Sequence, residues 1–356
     1  MIGAGQAGLS AAYFLQRFGI SDFTVLDHNS GPGGAWRQRW PSLTLAAANH
    51  VHDLPGWGLH EALGQQCDNV PASTGVAQYF GEYETRFALP VRRRAHVASV
   101  TRTGDPDAPF LVSGTVDDVP LKERARAVIN CTGTWDRPFW PTVPGAASFR
   151  GRQLHAHDYR TAEPFAGHTV AVVGAGITAV QLLLEIARVA HTHWFTRREV
   201  QWDQTPFDPD KGRRAVARVD ERVRAGLPPG SVVSVTGLPM NAAVRRGIED
   251  GILVRNRMFA SLSPDGPLQA DGSLVPADVI LWCTGFRYSM DHLAPLNLRA
   301  PGGGIVMTGR LATEVAGEPR LHLLGYGPSA STIGANRAGR EAARAIAEAI
   351  GAPVTD

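Results

Sequence analysis

The sequence predicts an α/β fold of the three-layer type, with two Rossmann-like dinucleotide-binding units, the second inserted into the first, and a small β-meander. Three observations predict it. A glycine turn opens the chain and runs into helical spacing, a second such turn lies near the middle, and two apolar strands end in the same Cys-Thr-Gly phrase.

The first turn is Gly3-Ala4-Gly5-Gln6-Ala7-Gly8, followed by Leu9 to Phe18 with apolar residues at helical intervals and a stop at Gly19. Phe23 to Asp27 reads as a strand ending in a carboxylate. Gly8 and Asp27 stand nineteen residues apart, close to the roughly 20 expected between a glycine turn and the acid that holds a ribose. In this plan Gly3 permits the tight turn, Gly5 lets backbone approach a pyrophosphate and Gly8 lets the helix pack on the strand, while the helix N-terminus faces the anion. Only Met1-Ile2 precede Gly3, where about five strand residues are usual. The expectation is a shortened start or a sheet without its central strand.

The second turn follows the apolar strand His168–Val173 as Gly174-Ala175-Gly176-Ile177-Thr178-Ala179, with Ala179 in the third glycine position and a helix running to about residue 189. Its next strand, Thr192 to Thr196, ends in Arg197-Arg198 instead of an acid. A carboxylate suits an unmodified ribose diol, whereas a 2′-phosphate pairs with guanidinium. Asp27 therefore suits the adenosine of FAD, and Arg197 with Arg198 suits NADPH.

Ala127–Gly133 and Val279–Gly285 are the matched strands, each placing a small residue and a glycine where the chain passes close to a cofactor or crosses between domains. The simplest arrangement is an FAD-binding domain at 1–154 and 275–356 with an NADPH-binding domain at 155–274. Val91–Val100 and Pro109–Ser113 read as strands of the meander. Gln201–Pro239, charged and proline-bearing, reads as a helical excursion over a cleft. The tail predicts a strand from Leu321, a small-residue turn at Gly325–Thr332 set against the flavin ring, and a helix Ile333–Ile350.

With 356 residues, 44% apolar and 19% charged, the chain can bury the core of two domains and is not disordered. A formal charge of +2 supplies no basic stripe for nucleic acid, and Lys122 and Lys211 are its only lysines. Cys67, Cys131 and Cys283 are scattered and include no C-x-x-C pair, which removes dithiol chemistry and points to a reducing, cytoplasmic setting. The most apolar stretch, 169–190, carries Gln181, Glu185 and Arg188, so no membrane span is expected there; with a glycine turn at residue 3, no secretory leader is expected either. His50/His52, His155/His157 and His191/His193 alternate, and Asp53 or Asp158 could join them, but without clustered cysteines or a third histidine at ligand spacing no metal site is expected.

Phe149-Arg150-Gly151-Arg152-Gln153-Leu154-His155-Ala156-His157-Asp158-Tyr159 resembles the F-x-G-x-x-x-H-x-x-x-(Y/F/W) fingerprint of class B flavin-dependent monooxygenases, and lies between two glycine turns as it does there. Gly33-Gly34-Ala35-Trp36 resembles their G-G-x-W element. The resemblance spans nearly the whole chain and is closest to the small bacterial flavin-containing monooxygenases. It implies an enzyme that takes hydride from NADPH, adds O₂ at flavin C4a and inserts one oxygen into a small substrate: a sulfide, an amine or a ketone. The expected FAD contacts are Gly3, Gly5, Gln6, Gly8, Asp27, Gly34, Trp36, Val97, Thr132, Gly133, Gly325 and Thr332. The expected NADPH contacts are Gly174, Gly176, Thr178, Ala179, Thr196, Arg197 and Arg198. Phe149, Gly151, His155 and Tyr159 belong to the linker, coupling cofactor binding to domain orientation; no residue is assigned as catalytic, and Trp36, Trp40, Trp57, Trp135 and Trp140 line the flavin cleft or the core.

Two departures matter. Tyr159 stands where Baeyer–Villiger enzymes carry Trp, and Ala46 replaces the Asp or Asn beside the flavin, with Asn49 a substitute if the loop shifts. The rival readings are an NADPH oxidase or flavin reductase releasing hydrogen peroxide, and a non-catalytic FAD-binding module. Substrate and oligomeric state, a homodimer included, stay open.

Overall fold

The computed structural model describes residues 1–48, 51–102, 104–105, 107–203, 209–230 and 237–352. Two compact units emerge, one made of Met1–Thr134, Val216–Gly230 and Tyr288–Asp356, the other of Trp135–Ala215 and Ser231–Arg287. The changeovers at 134/135 and 287/288 differ from the expected 154/155 and 274/275 because the fingerprint strand Arg152–His155 pairs with Val279–Trp282 inside one sheet. Fifteen residues of the charged excursion, Val216–Gly230, also belong to the first unit. Val223 there is fully buried, in one apolar cluster with Met290, Leu293, Ile305 and Tyr326.

In the first unit, the central sheet position is not missing. Ile2 bridges Leu26 on one side and Asn130 on the other, both parallel. The amide of Ile2 donates to Ile129 O at 2.9 Å and that of Gly3 to Leu26 O at 2.7 Å, while Leu26 and Cys131 donate back to Met1 and Ile2. Around this pair, Val25–Leu26 is parallel to Val91–Arg92, and Val128–Asn130 is parallel to Glu318–Leu323, which continues antiparallel through Glu314–Val315 and Met307–Thr308.

The meander has three antiparallel strands, Ala95–Thr101, Phe110–Val116 and Val119–Ala125. Its run from residue 91 is not one strand: Arg94, at φ 49°, breaks it and sends Val91–Arg92 to the parallel sheet. The hairpin turn uses Asp117 and Asp118, both left-handed, as a two-residue connection requires.

Helix Gln6–Arg17 packs along the last helix, Thr332–Ala349, through small residues: Ala7 and Ala11 against Ala335, Ala338, Ala342 and Ala343. The approach is close enough that a Cβ on Gly339 would stand 2.7 Å from Ser10 Oγ.

The second unit carries a five-stranded, all-parallel sheet in the order Arg255–Arg257, His191–Thr196, Thr169–Val173, Val279–Trp282, Arg152–His155. Central strand Thr169–Val173 is buried on both faces, as its unbroken apolar run demands. Helix Ile177–Ile186 follows the glycine turn. Among the described residues, no helix is long and apolar enough to cross a membrane.

Candidate cofactor sites

Both glycine turns sit at a topological switch point, at the carboxyl ends of parallel strands, where open α/β sheets bind ligands. They are built alike. In the first unit a Cβ on Gly3 would stand 2.5 Å from Cys131 O; in the second, a Cβ on Gly174 would press on Cys283 O more closely still. The repeated Cys-Thr-Gly phrase is thereby explained, since its first carbonyl occupies the space that only a glycine leaves open. Cys131 donates its amide to Ile2 O at 2.7 Å and Cys283 to Val173 O at 2.8 Å, one position before each turn.

Beyond this point of contact the space opens. A Cβ on Gly5, Gly133, Gly176 or Gly285 would meet nothing within 4 Å. Gly5 and Gly176 are the N-cap residues of Gln6–Arg17 and Ile177–Ile186, and no side chain caps either end. The amides at both starts therefore face open cradles that suit the pyrophosphate of a dinucleotide. Gly8 has a different duty: a Cβ there would run into Gly3 O. Gly34, at φ 51°, comes so near that a Cβ on it would stand 3.0 Å from Gly5 Cα, which brings the Gly33–Trp36 turn onto the first cradle.

Around the first cradle, Thr132 donates its hydroxyl to Ser289 O and receives Asn130 Nδ2 at 3.1 Å, while Ser289 N donates to Gly133 O at 2.9 Å. Asn130 Oδ1 accepts from His292 Nε2 at 2.7 Å. His292 was not singled out from sequence; its burial lowers its pKa to about 4, so it stays neutral and serves as a donor. The Gly325–Ser329 turn is held by Ser329 Oγ, which accepts from Gly325 N at 3.0 Å and donates to Tyr326 O. Thr332 starts the last helix behind the Ser331 cap.

Gln6 Nε2 reaches both His52 O at 3.0 Å and Asn336 Oδ1 at 2.9 Å, and Asn336 Nδ2 donates to Asp53 O at 2.6 Å. Tyr79 and Tyr83 complete the fastening of that loop through their hydroxyls, to Trp57 O and Pro55 O at 2.6 Å. Ala46 is exposed in the short helical turn Ala46–Ala48. Asn49 and His50 lie outside the described residues. Val97 turns its side chain into the core, and it pairs with Gly114 in the meander. Asp27 is 2% exposed, turned toward the glycine turn.

In the second unit, Trp194 Nε1 donates to Gly174 O at 2.7 Å and steadies the turn. Ala179 is fully buried against the sheet, where its methyl takes the place of the third glycine's hydrogen; Thr178 is half-buried beside it. Thr196 is 1% exposed, with its hydroxyl given to Arg198 O at 2.6 Å and met by Arg255 Nε at 2.7 Å, so it shapes the strand end instead of facing a ligand. Arg197 and Arg198 are exposed. Arg257, exposed and paired in register with Thr196, joins them. Arg255 and Arg257 were missed from sequence because their strand is only three residues long.

The fingerprint residues are internal to the second unit. Gly151 leaves room for the Phe149 ring and for Asp278 O. His155 is fully buried; its Nδ1 accepts from His157 N at 3.0 Å and its Nε2 lies 3.1 Å from Gly285 O, an arrangement that puts the proton on Nε2. Burial pushes its pKa down, against the hydrogen bond to Gly285. Tyr159, 2% exposed, stacks on Phe165 beside Glu185, and burial drives its pKa up. His155 thereby ties the end of its strand to Gly285, and Tyr159 fills the space beside Phe165.

Of the tryptophans, Trp40 and Trp135 are core residues, Trp36 and Trp57 are half-buried, and Trp140 is 45% exposed. Trp135 stacks on Phe286 at 5.0 Å. Among the described residues no group of three or more His, Cys, Asp or Glu could hold a metal ion. The three cysteines are buried and free.

Two nucleotide cradles of one design, with arginines at one of them, define a dinucleotide-dependent oxidoreductase. Residues 1–227 match the family described as pyridine nucleotide-disulphide oxidoreductase, and the chain belongs to it. A flavin-containing monooxygenase from Stenotrophomonas maltophilia is 35% identical, with a TM-score of 0.81 over 98% of this chain and 97% of that one. An uncharacterized oxidoreductase of Bacillus subtilis is 24% identical over 81% of this chain and 80% of its own length. Flavin-containing monooxygenase FMO GS-OX-like 2 of Arabidopsis thaliana is 25% identical over 82% of this chain and 61% of its own. The chain is a flavin-dependent monooxygenase, an oxidoreductase of the group that works with FAD and NADPH.

Proposed function

We propose that the first unit binds FAD, that the second binds NADPH in preference to NADH, and that the enzyme inserts one atom of O₂ into a small soft nucleophile, a sulfide or an amine, or into a ketone. The repeated cradle carries this reading: each glycine turn pressed on a Cys-Thr-Gly carbonyl, with open space at Gly5 and Gly133 in one unit and at Gly176 and Gly285 in the other.

When bound, FAD supplies the hydride acceptor and the site of oxygen activation. The chain's own part is positional. Amides at the start of Gln6–Arg17 and the Gly34–Trp36 turn hold the pyrophosphate end, and Thr132, Gly133 and Gly325–Thr332 surround the far end. Amides at the start of Ile177–Ile186 hold the second dinucleotide, and the Arg197, Arg198 and Arg257 guanidiniums supply the charge that a 2′-phosphate needs. Three free, buried cysteines are in keeping with a reducing cytoplasm.

The test is to load the protein with FAD and follow NADPH consumption under ¹⁸O₂ with a small aryl alkyl sulfide, an amine and a cyclic ketone. Labelled product in step with NADPH supports the reading, and the best of the three identifies the substrate class. Hydrogen peroxide in step with NADPH, with no labelled product, would establish the oxidase reading, which the apolar side chain of Ala46 motivates. Replacing Arg197 and Arg198 with Gln should erase the preference for NADPH over NADH; an unchanged preference refutes that assignment.

A further inference from the structure

We infer that a cavity at the far end of the first unit binds a small amphipathic carboxylate, and that its occupancy steadies the Gly325–Ser329 turn. The cavity encloses about 310 Å³, at the small end of the roughly 300–1,000 Å³ typical of ligand pockets. Phe110, Leu296, Leu298, Val306 and Val315 give it apolar walls, and Arg102, Arg299 and Glu318 give it charge. Glu318 begins the strand Glu318–Leu323, whose other end pairs with Asn130 beside the first cradle. The steps between them span roughly 17 Å, so the cavity is a separate place from the cradle.

Its charge selects the ligand. Glu318 is buried and both of its oxygens already accept, Oε2 from Arg102 and Oε1 from Arg320 Nε at 3.5 Å. Arg320 is fixed further by the carbonyls of Asp107 and Ala108, each at 3.2 Å. Both guanidiniums lie near the Phe110 ring, at 6.0 Å and 5.6 Å from its centroid. Arg299, exposed, donates Nη1 to Gly303 O at 3.0 Å. Three cations thus stand against one acid among the described residues here. A ligand's ammonium is repelled, whereas a carboxylate meets a positive field at one end and hydrocarbon along the rest.

The wall at 299–305 is a hairpin, in which Arg299 bridges Ile305 and Ala300 N donates to Gly304 O at 2.8 Å. Ile305 N donates to Tyr326 Oη at 3.1 Å, and Tyr326 meets Tyr288 edge-on at 4.7 Å. Tyr326 belongs to the turn in which Gly325 N donates to Ser329 Oγ. A ligand packed on Leu298 and Val306 therefore braces the hairpin and, through Tyr326, the turn. Neither step depends on which dinucleotide the first unit holds.

The experiment is calorimetric titration of the FAD-loaded protein with octanoate, octanol and octylamine, in wild type, Arg299→Glu and Ala316→Trp. Ala316 is an exposed residue of the lining, where an indole can fill the cavity without entering the core. Octanoate should saturate a single site in wild type with a Kd on the order of 0.1–1 mM. It should bind roughly tenfold more tightly than octanol, with no saturable binding of octylamine. Arg299→Glu should weaken octanoate by roughly fivefold or more, and Ala316→Trp should weaken octanoate and octanol alike. No saturable octanoate binding to wild type, or an affinity unchanged in both variants, overturns the site. Octanol or octylamine binding as tightly as octanoate overturns the choice of a carboxylate. With octanoate bound, the Ile305 and Gly325 amides should exchange with solvent about threefold more slowly or better, while those of Ile177–Ile186 keep their rates. Unchanged exchange at Gly325 under saturating octanoate overturns the link to the turn.

Discussion

Acid should unlock the first unit through two of its buried histidines. His292 donates to Asn130, and His322, fully buried, has Nδ1 3.2 Å from Thr313 Oγ1. Burial lowers both from the ordinary 6.5 to about 4. The unfolded chain therefore takes up these two protons first as the pH falls. The stability that their neutral forms contribute is complete above pH 6.5 and is lost progressively toward pH 4. At pH 5 an unfolded histidine is almost wholly protonated and each of these only marginally so, a cost of about 2 kcal/mol per site and about 4 kcal/mol for the pair. That is a large share of the roughly 5–15 kcal/mol that holds a domain together. The assay is urea unfolding of the first unit at pH 7.5 and pH 5, for wild type and for His292→Gln with His322→Asn, isosteres that keep one hydrogen-bonding nitrogen or oxygen in place. Glu84, Glu341 and every other titrating group are common to both proteins and cancel. Wild type should lose about 4 kcal/mol more than the double variant across this interval. A difference under about 1 kcal/mol would show that neither imidazole resists protonation in the folded unit.

Other outcomes follow from the cradles and their supports. Gly5→Ala should fold with an unchanged melting temperature yet bind FAD at least tenfold more weakly, because its methyl enters open space, whereas Gly8→Ala should fail to fold because its methyl meets Gly3 O; calorimetry and a flavin titration read both. Trp194→Phe removes the bond to Gly174 O and should raise the KM for NADPH while leaving FAD affinity alone. Tyr83→Phe frees Pro55 O and should cost about 1 kcal/mol, with faster amide exchange confined to the 52–58 loop. NMR of His155 should show its neutral ring protonated on Nε2 and titrating below the ordinary histidine range, since burial disfavours its cation and a proton on Nδ1 has no place opposite His157 N.

Much of this was legible in the residues. The glycine turns, the strands they follow and the matched Cys-Thr-Gly ends carry the two units and the open faces of both cradles, because a turn beside a parallel strand leaves its mark within a few neighbours. Less local features stayed hidden. The break at Arg94 divides one apparent strand between two sheets, and nothing in a run of three arginines announces a left-handed residue. Val219 and Val223, four apart on a strongly charged helix, look like the narrow stripe of a surface element, yet they are buried in the first unit. Arg257 reaches Arg197 and Arg198 only through the pairing of distant strands. Asp27 was found by spacing, but its direction depends on the Ala4 and Asn29 amides, which spacing does not encode.

The side-by-side packing of Gln6–Arg17 and Thr332–Ala349 bears on how the protein is made. Residues 6 and 336 share a hydrogen bond across 330 positions of sequence, and the small-residue face of the first helix packs on the alanines of the last. On the ribosome, the second unit, complete once Arg287 has been added, can close before Thr332–Ala349 is synthesised; the first unit cannot. Its opening helix must wait, alanine face bare, until Thr332–Ala349 emerges, and chains halted before residue 332 are left as substrates for chaperones and proteases.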